Sequence, residues 1–169
     1  MSSGPLTLHL NGLEAGFARL EGNLELVVPD ASGADEPHRL QVACKLDVQA
    51  RRIHVGGEVR GEATSHCHRC LNTFSRQVET RFDLIVQRGG DSPGDEVVLL
   101  PETALEYDLV PHVREAIILD EPIQLVCRPD CRGLCSWCGQ DRNVDECSCA
   151  PSRDGRWEAL KKLSNPLEP

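Results

Sequence analysis

Eight of the nine cysteines stand in metal-ligand spacing: Cys67-x2-Cys70 upstream, then Cys127-x3-Cys131-x3-Cys135-x2-Cys138 and Cys147-x-Cys149. Thiolates set in pairs two or three residues apart can turn both sulfurs toward one tetrahedral Zn²⁺, so the pattern points to two structural zinc sites. A disulfide framework would need an oxidising compartment. Met1-Ser2-Ser3-Gly4-Pro5 followed by Leu6-Thr7-Leu8-His9 has neither the basic start nor the apolar run of a signal peptide. Charges, Gly and Pro interrupt every apolar run before it is long enough to cross a bilayer. The expectation is a cytoplasmic chain, with no membrane partner and with reduced, metal-binding thiols.

Two partitions of the sulfurs are open. Gly139 permits a tight turn after Cys135-x2-Cys138, and Cys147 and Cys149 close a site over a short loop, which leaves Cys67 and Cys70 to Cys127 and Cys131. The alternative joins Cys127 and Cys131 to Cys135 and Cys138, and sends Cys67 and Cys70 to Cys147 and Cys149. Loop closure favours the first, which keeps one site local without forcing the other to close the longest loop available. Cys44 sits on the apolar side of an alternating segment and reads as a buried core thiol. A lobe of some thirty residues with few apolar side chains cannot offset its ordering entropy, whereas a structural Zn²⁺ contributes roughly 10–16 kcal/mol at neutral pH.

Four thiolates close the metal shell, while a hydrolytic zinc keeps a position for water, so no catalytic residue and no small-molecule substrate is expected. His66 and His68 flank Cys67 and read as exposed side chains rather than ligands. The H-x-E plus P-C-x-x-C pattern of zinc deaminases, a Gly-rich phosphate loop and a nucleophile elbow are all absent. His112 and Glu115 share a helical spacing but have no second pair of ligands.

The elements that must hold these cysteines show in the hydropathy. Leu40, Val42, Cys44, Leu46 and Val48 alternate with polar residues over 39–49, and Ile53, Val55 and Val59 repeat the pattern over 52–63. Residues 74–87 do so again through Val78, Phe82, Leu84 and Val86. Together they predict an antiparallel β-meander or partial barrel, with a further strand at Leu24–Val28, a loop at Pro29–Pro37 and a short strand at Val97–Leu100. Gly56-Gly57 marks a weakened strand, a bulge or a close backbone approach. Cys67 and Cys70 then fall between two neighbouring strands. Asp108 caps a predicted helix running through Val110, Pro111, Val113, Ala116 and Ile117 to Leu119, which Pro122 ends before a brief extended run at Ile123–Val126. Asp154 caps a last short helix with Trp157, Leu160 and Leu163 on one face. The fold class is α+β: a β-rich domain over residues 1–126 with one packed helix, and a zinc-binding lobe over 127–169.

The 169 residues carry a formal charge of −9, which argues against nonspecific binding to nucleic acid or acidic membrane. The charge is uneven, at +3 over 51–90, where every cation is Arg, and −8 over 91–121. Two readings follow: a local basic face beside Cys67 and Cys70, or arginines on the solvated side of strands.

Cys67-His68-Arg69-Cys70-Leu71 after a strand, Val113-Arg114-Glu115-Ala116-Ile117-Ile118-Leu119 before a Pro, and the run Cys127 to Cys149 with Gly133, Leu134, Gly139 and Asn143 between its cysteines together resemble the YceD family. The likeness runs from about residue 38 to the Trp157–Leu163 helix, and residues 1–37 match loosely. That family is described as large ribosomal RNA subunit accumulation proteins, which implies a process, 23S rRNA processing or accumulation and large-subunit assembly, rather than a mechanism. Trp137 and Arg142 stand where the family more often has a smaller residue and an aliphatic one. Members lacking the last four cysteines keep the first pair and a ligand-like pair near 127 and 131, which implies the same partition. The resemblance points to a non-enzymatic assembly factor whose partner is precursor 23S rRNA, a large-subunit ribosomal protein or another assembly factor. Arg69, Arg76, His66 and His68 would meet phosphate, and Trp137 would stack on a base or else cover the metal. A redox-sensitive zinc switch and a carrier for a basic ribosomal protein, drawn by the acidic 91–121 segment, are the alternatives.

Overall fold

The computed structural model describes residues 6–29, 33, 35–90 and 97–149. The helix expected after Asp154 lies outside them. Strands β1 (Thr7–His9), β2 (Gly16–Pro29), β3 (Asp35–Val48), β4 (Arg52–His66), β5 (Thr73–Arg88), β6 (Val97–Leu100) and β7 (Glu106–Asp108) precede a single helix, α1 (Val110–Asp120). The sheet runs β2-β3-β4-β5-β6, and β1 pairs with β7 in a separate ribbon.

Alternation decides which face is buried. In β3 the burial pattern switches at every residue from Asp35 to Cys44 and keeps Leu46 and Val48 buried beyond, with Val42, Leu46 and Val48 in register with Val59, Val55 and Ile53 of β4. These residues, with Val78 and Val86 of β5 and Leu24 and Val28 of β2, form one apolar face. Val113 and Ile117 of α1 and Leu6, Leu8 and Leu10 of the ribbon segment join the same cluster, and the opposite face remains polar. Burial keeps the Cys44 thiol neutral by pushing it up to about 11.

Several expectations change. β2 begins at Gly16 rather than Leu24, because Ala18, Leu20 and Gly22 fill the inward positions too modestly to signal a strand. The loop expected over 29–37 contracts to the link between Pro29 and Asp35. Pro37 enters β3 one residue beyond the last β3–β4 pair, His38 with Ala63, so its missing N–H leaves that ladder whole. The meander is antiparallel only through β5; β6 joins parallel to it. The extended run expected at 123–126 forms no strand. Asp108 precedes the helix by two residues, with Leu109 at the cap position, yet its Oδ1 accepts the Val110 N–H at 3.0 Å. Gly57 is a close approach without a bulge: the Phe82 ring fills the place where a Cβ would stand.

At the end of the sheet nearest Cys67 the buried face turns polar. Glu36 is fully buried and accepts the Ser65 hydroxyl at 2.7 Å and the His66 N–H at 3.3 Å. Arg76 donates to Ser65 at 2.9 Å and to Glu121, at the end of α1, at 3.2 Å, and lies 3.9 Å from Glu36. This network ties three strands to the helix terminus directly below the first cysteine pair. Arg76→Ala would leave a buried carboxylate uncompensated and cost about 3–5 kcal/mol. Coupling it with Glu36→Gln should restore much of that loss, and urea unfolding of the two variants checks both outcomes.

Candidate metal centres

Cys67 and Cys70 occupy the turn between β4 and β5. The Cys67 N–H bonds to the Asn72 carbonyl at 3.0 Å, and the Leu71 N–H returns to the Cys67 carbonyl at 2.8 Å. Cys135 and Cys138 repeat this backbone pattern, with the Cys135 N–H on the Gln140 carbonyl at 2.8 Å and the Gly139 N–H on the Cys135 carbonyl at 2.9 Å. The residue after the second cysteine takes positive φ in both turns, +74° at Gly139 and +62° at Leu71. Gly139 announces this turn in the sequence. Leu71 does not, because leucine gives no sign of the left-handed region it is held in.

The fold delivers one partition of the sulfurs. Cys67, Cys70, Cys127 and Cys131 form one group and Cys135, Cys138, Cys147 and Cys149 another, with all sulfurs in each group within 4.8 Å of one another. Cys67 Sγ lies 3.8 Å from Cys131 Sγ, as does Cys70 Sγ from Cys127 Sγ. Four thiolates about 2.3 Å from a tetrahedral metal stand about 3.8 Å apart, so the donor set suits an ion such as Zn²⁺. All nine cysteines are free thiols.

Electrostatics divides the work within each tetrad. Burial would raise the Cys67 thiol, but backbone N–H groups of Cys127, Cys70 and Arg69 aimed at its sulfur outweigh that and lower it to about 6. The Cys138 and Trp137 N–H groups, helped by the Cys147 thiol, do the same for Cys135, also to about 6. Burial and three neighbouring thiols push Cys127 up to about 12, and Cys138 is the chief cause of the same rise at Cys149. Each site thus has one sulfur prepared as thiolate and another that resists charge beside it. A dication removes the conflict, at the cost of displacing protons.

The centres differ in their surroundings. Cys67, Cys70 and Cys131 are buried in a small core of their own with Phe74, Val126 and Leu134, whereas Cys138 and Cys149 are exposed. Asn143 links the two. Its side-chain NH₂ reaches Cys131 Sγ at 3.4 Å and Asp141 Oδ1 at 2.7 Å, while its oxygen accepts the Arg132 N–H and the Arg128 guanidinium, each at 2.9 Å. Asp141 Oδ2 in turn takes the Asn72 amide at 2.8 Å, across to the β4–β5 turn. The Asn143 backbone N–H is the chief group holding the Asp141 carboxyl below its ordinary range. The Arg69 carbonyl accepts the Leu134 N–H at 2.9 Å and would lie only 2.8 Å from a Cβ on Gly133, so that glycine is needed for the approach. In the sequence Asn143 and Gly133 were only letters of a motif, since neither can bind the metal itself.

The arginines of 51–90 do not gather into a free basic face. Arg51, Arg60 and Arg76 are in ion pairs, and Arg52, Arg69 and Arg88 donate to side-chain or backbone oxygens. Arg76 belongs to the buried network below the turn. Arg69 spends its guanidinium on the Pro129 and Cys131 carbonyls, at 3.4 and 3.2 Å. His68 Nδ1 accepts the Leu125 N–H at 3.3 Å, and His66 is exposed at the end of β4. Trp137 is 60% exposed, and it lines a hollow of about 470 Å³ at the second tetrad together with Arg132 and Arg142. Glu146 lies 3.6 Å from Arg132, whereas the Arg142 guanidinium has no partner among the described residues.

A family model described as large ribosomal RNA subunit accumulation protein YceD matches residues 55–164. A chloroplastic YCED homolog 1 of Zea mays, named a large ribosomal RNA subunit accumulation protein, is 27% identical over 72% of this chain and 52% of its own length. Its Arabidopsis thaliana counterpart is 22% identical over 68% and 46%, and an uncharacterized protein of Mycobacterium tuberculosis 26% over 78% and 65%. The chain thus spans about half to two thirds of these relatives. No solved structure matches.

Asn143 sets a direct test of the geometry. Asn143→Ala should weaken metal retention at the Cys67 tetrad by about 10–100-fold, as loss of a group orienting a ligand does. Chelator competition on Co²⁺-loaded protein reads this, and unchanged retention would remove Asn143 from the linking role.

Proposed function

This chain belongs to the YceD family of large ribosomal RNA subunit accumulation proteins, and on that premise we propose that it is a non-enzymatic, zinc-stapled factor supporting 23S rRNA accumulation and large-subunit assembly in a reducing, cytoplasmic setting. The supporting observation is the first tetrad. It joins the β4–β5 turn to residues 127–131 and leaves no coordination position for a reacting water, as suits a metal that builds a surface rather than performs chemistry.

The surface so built offers a limited contact to RNA. Trp137 is held outward by a turn whose two cysteines share one candidate metal site, and Arg142 beside it has no partner among the described residues, so an unpaired base can stack while its phosphate meets the guanidinium. Long-range attraction is missing. Two Zn²⁺ ions in four-thiolate sites add about four negative charges to a chain already at −9, so binding must be local and short.

The exposure of Cys138 and Cys149 favours a second reading at the same site, a redox switch. A peroxide would take two electrons from a pair of thiolates, forming a disulfide and water and releasing zinc from the outer tetrad before the buried one.

Deletion of the chain should lower large-subunit particles relative to small ones and leave precursor 23S rRNA, and the protein should co-sediment with a large-subunit precursor. Normal particle and rRNA profiles would overturn the reading. Purified protein should yield about two equivalents of zinc, and one equivalent or none would discard the two-centre scaffold. Mild peroxide that releases no zinc eliminates the switch.

A further inference from the structure

We propose that the outer edge of β5, beside α1, receives an extended basic segment of a partner protein by strand addition. β5 runs from Thr73 to Arg88, but β6 pairs only with Ile85–Arg88. Residues 73–84 therefore have β4 on one side and, among the described residues, no strand on the other. The Arg88 N–H donates to Arg51 on the β4 side, and an antiparallel ladder alternates, so every second residue from Thr73 to Asp83 turns its N–H and C=O outward. Twelve residues without proline or bulge form a long edge by the standards of natural sheets, and an edge of this kind is a template for another strand.

The space beside the edge is shaped for side chains. A hollow of about 450 Å³ separates β5 from α1, with Phe82 and Leu84 on the strand and Ala116 and Leu119 on the helix as its apolar members. Leu119 is 78% exposed, and Ile118 in the same helix and Ile123 just beyond it are exposed as well. A strand added to β5 would turn alternate side chains into this hollow. Glu115 and Asp120 of α1 line it, with His112 held by the Tyr107 hydroxyl at 2.7 Å and its Nδ1 3.9 Å from Glu115. Arg81 and Asp83 border it through the strand and turn their side chains to the opposite face, where Asp83 Oδ1 stands over Gly56. That charge selects a segment bearing Lys or Arg between apolar residues. It repels RNA phosphate, and it repels a second copy of this chain, which would bring the same carboxylates and a further −9. The docking edge does not depend on the RNA reading: it uses a different part of the molecule.

The test uses the zinc-loaded full chain and a capped ten-residue peptide alternating Lys and Val, with a Glu/Val peptide and a single-stranded RNA oligomer as controls. Amide hydrogen exchange should slow at Gln77, Glu79, Arg81 and Asp83 with the Lys/Val peptide alone. Arg81→Pro removes one outward N–H without touching the β4 ladder, and should cut peptide affinity at least about tenfold with an unchanged melting temperature. Glu115→Lys with Asp120→Lys should transfer preference to the Glu/Val peptide. Absence of protection on the β5 edge, equal protection by either control, or full affinity in Arg81→Pro overturns the proposal. In cells, normal large-subunit particles with Arg81→Pro but not with the deletion would overturn the edge as the working contact and leave the family reading standing.

Discussion

Four sulfurs converge from Cys67, Cys70, Cys127 and Cys131 at one end of this molecule, where a shared metal ion would hold that end together. Closing a loop of nearly sixty residues is a slowly growing entropic cost, about 0.6 kcal/mol for each doubling of length, while one structural zinc contributes roughly 10–16 kcal/mol. The metal can therefore close a long loop with a wide margin. Among the described residues, the Arg76–Glu121 pair, the hydrogen bonds of Leu125, Arg69 and Asn72 and a few apolar contacts around Phe74 and Leu134 are the other ties of the segment after α1 to the sheet.

The second tetrad depends on the first. Arg69 and Asn72, in the first turn, meet Leu134 and Asp141 on either side of the second, and Asn143 touches a sulfur of the first from within the loop of the second. Metal held at the buried site would position the frame on which the exposed site is built. The reverse support is weaker, because Cys135 to Cys149 can close locally. Hence the inner site reads as a fastening and the outer as a presented surface carrying Trp137.

Where the sequence alternates strictly, as in β3 and β4, the strands and their buried faces were legible, and so were the two cysteine tetrads from loop length and turn chemistry. What escaped was whatever depends on partners distant in the chain. The first half of β2 has small inward residues whose burial comes only from β3. The parallel return of β6 leaves no local mark, and Leu71 adopts a glycine's conformation because the cysteines on its N-terminal side and Asn72 enforce the turn. Counting arginines over 51–90 suggested a basic face, but charge composition cannot see that Arg76 meets two glutamates from β3 and the end of α1.

On the proposed function, that spending of arginines bears on how an acidic protein could serve ribosomal RNA. Nonspecific affinity needs many phosphates neutralised at once, and each cation used internally is unavailable for it. The described surface retains a tryptophan with one unpaired arginine at the outer tetrad, and an acidic, apolar edge at β5 far along the same strand from the β4–β5 turn. On the readings proposed above, the first would recognise at most a short unpaired stretch of RNA and the second would take a basic protein segment. A molecule with one weak contact of each kind gains affinity mainly when both are engaged on one particle, because linking them converts the second contact into an intramolecular one. Such a factor would favour a partly assembled particle, where RNA and basic protein lie close together, over free RNA or free protein, where only one contact can form.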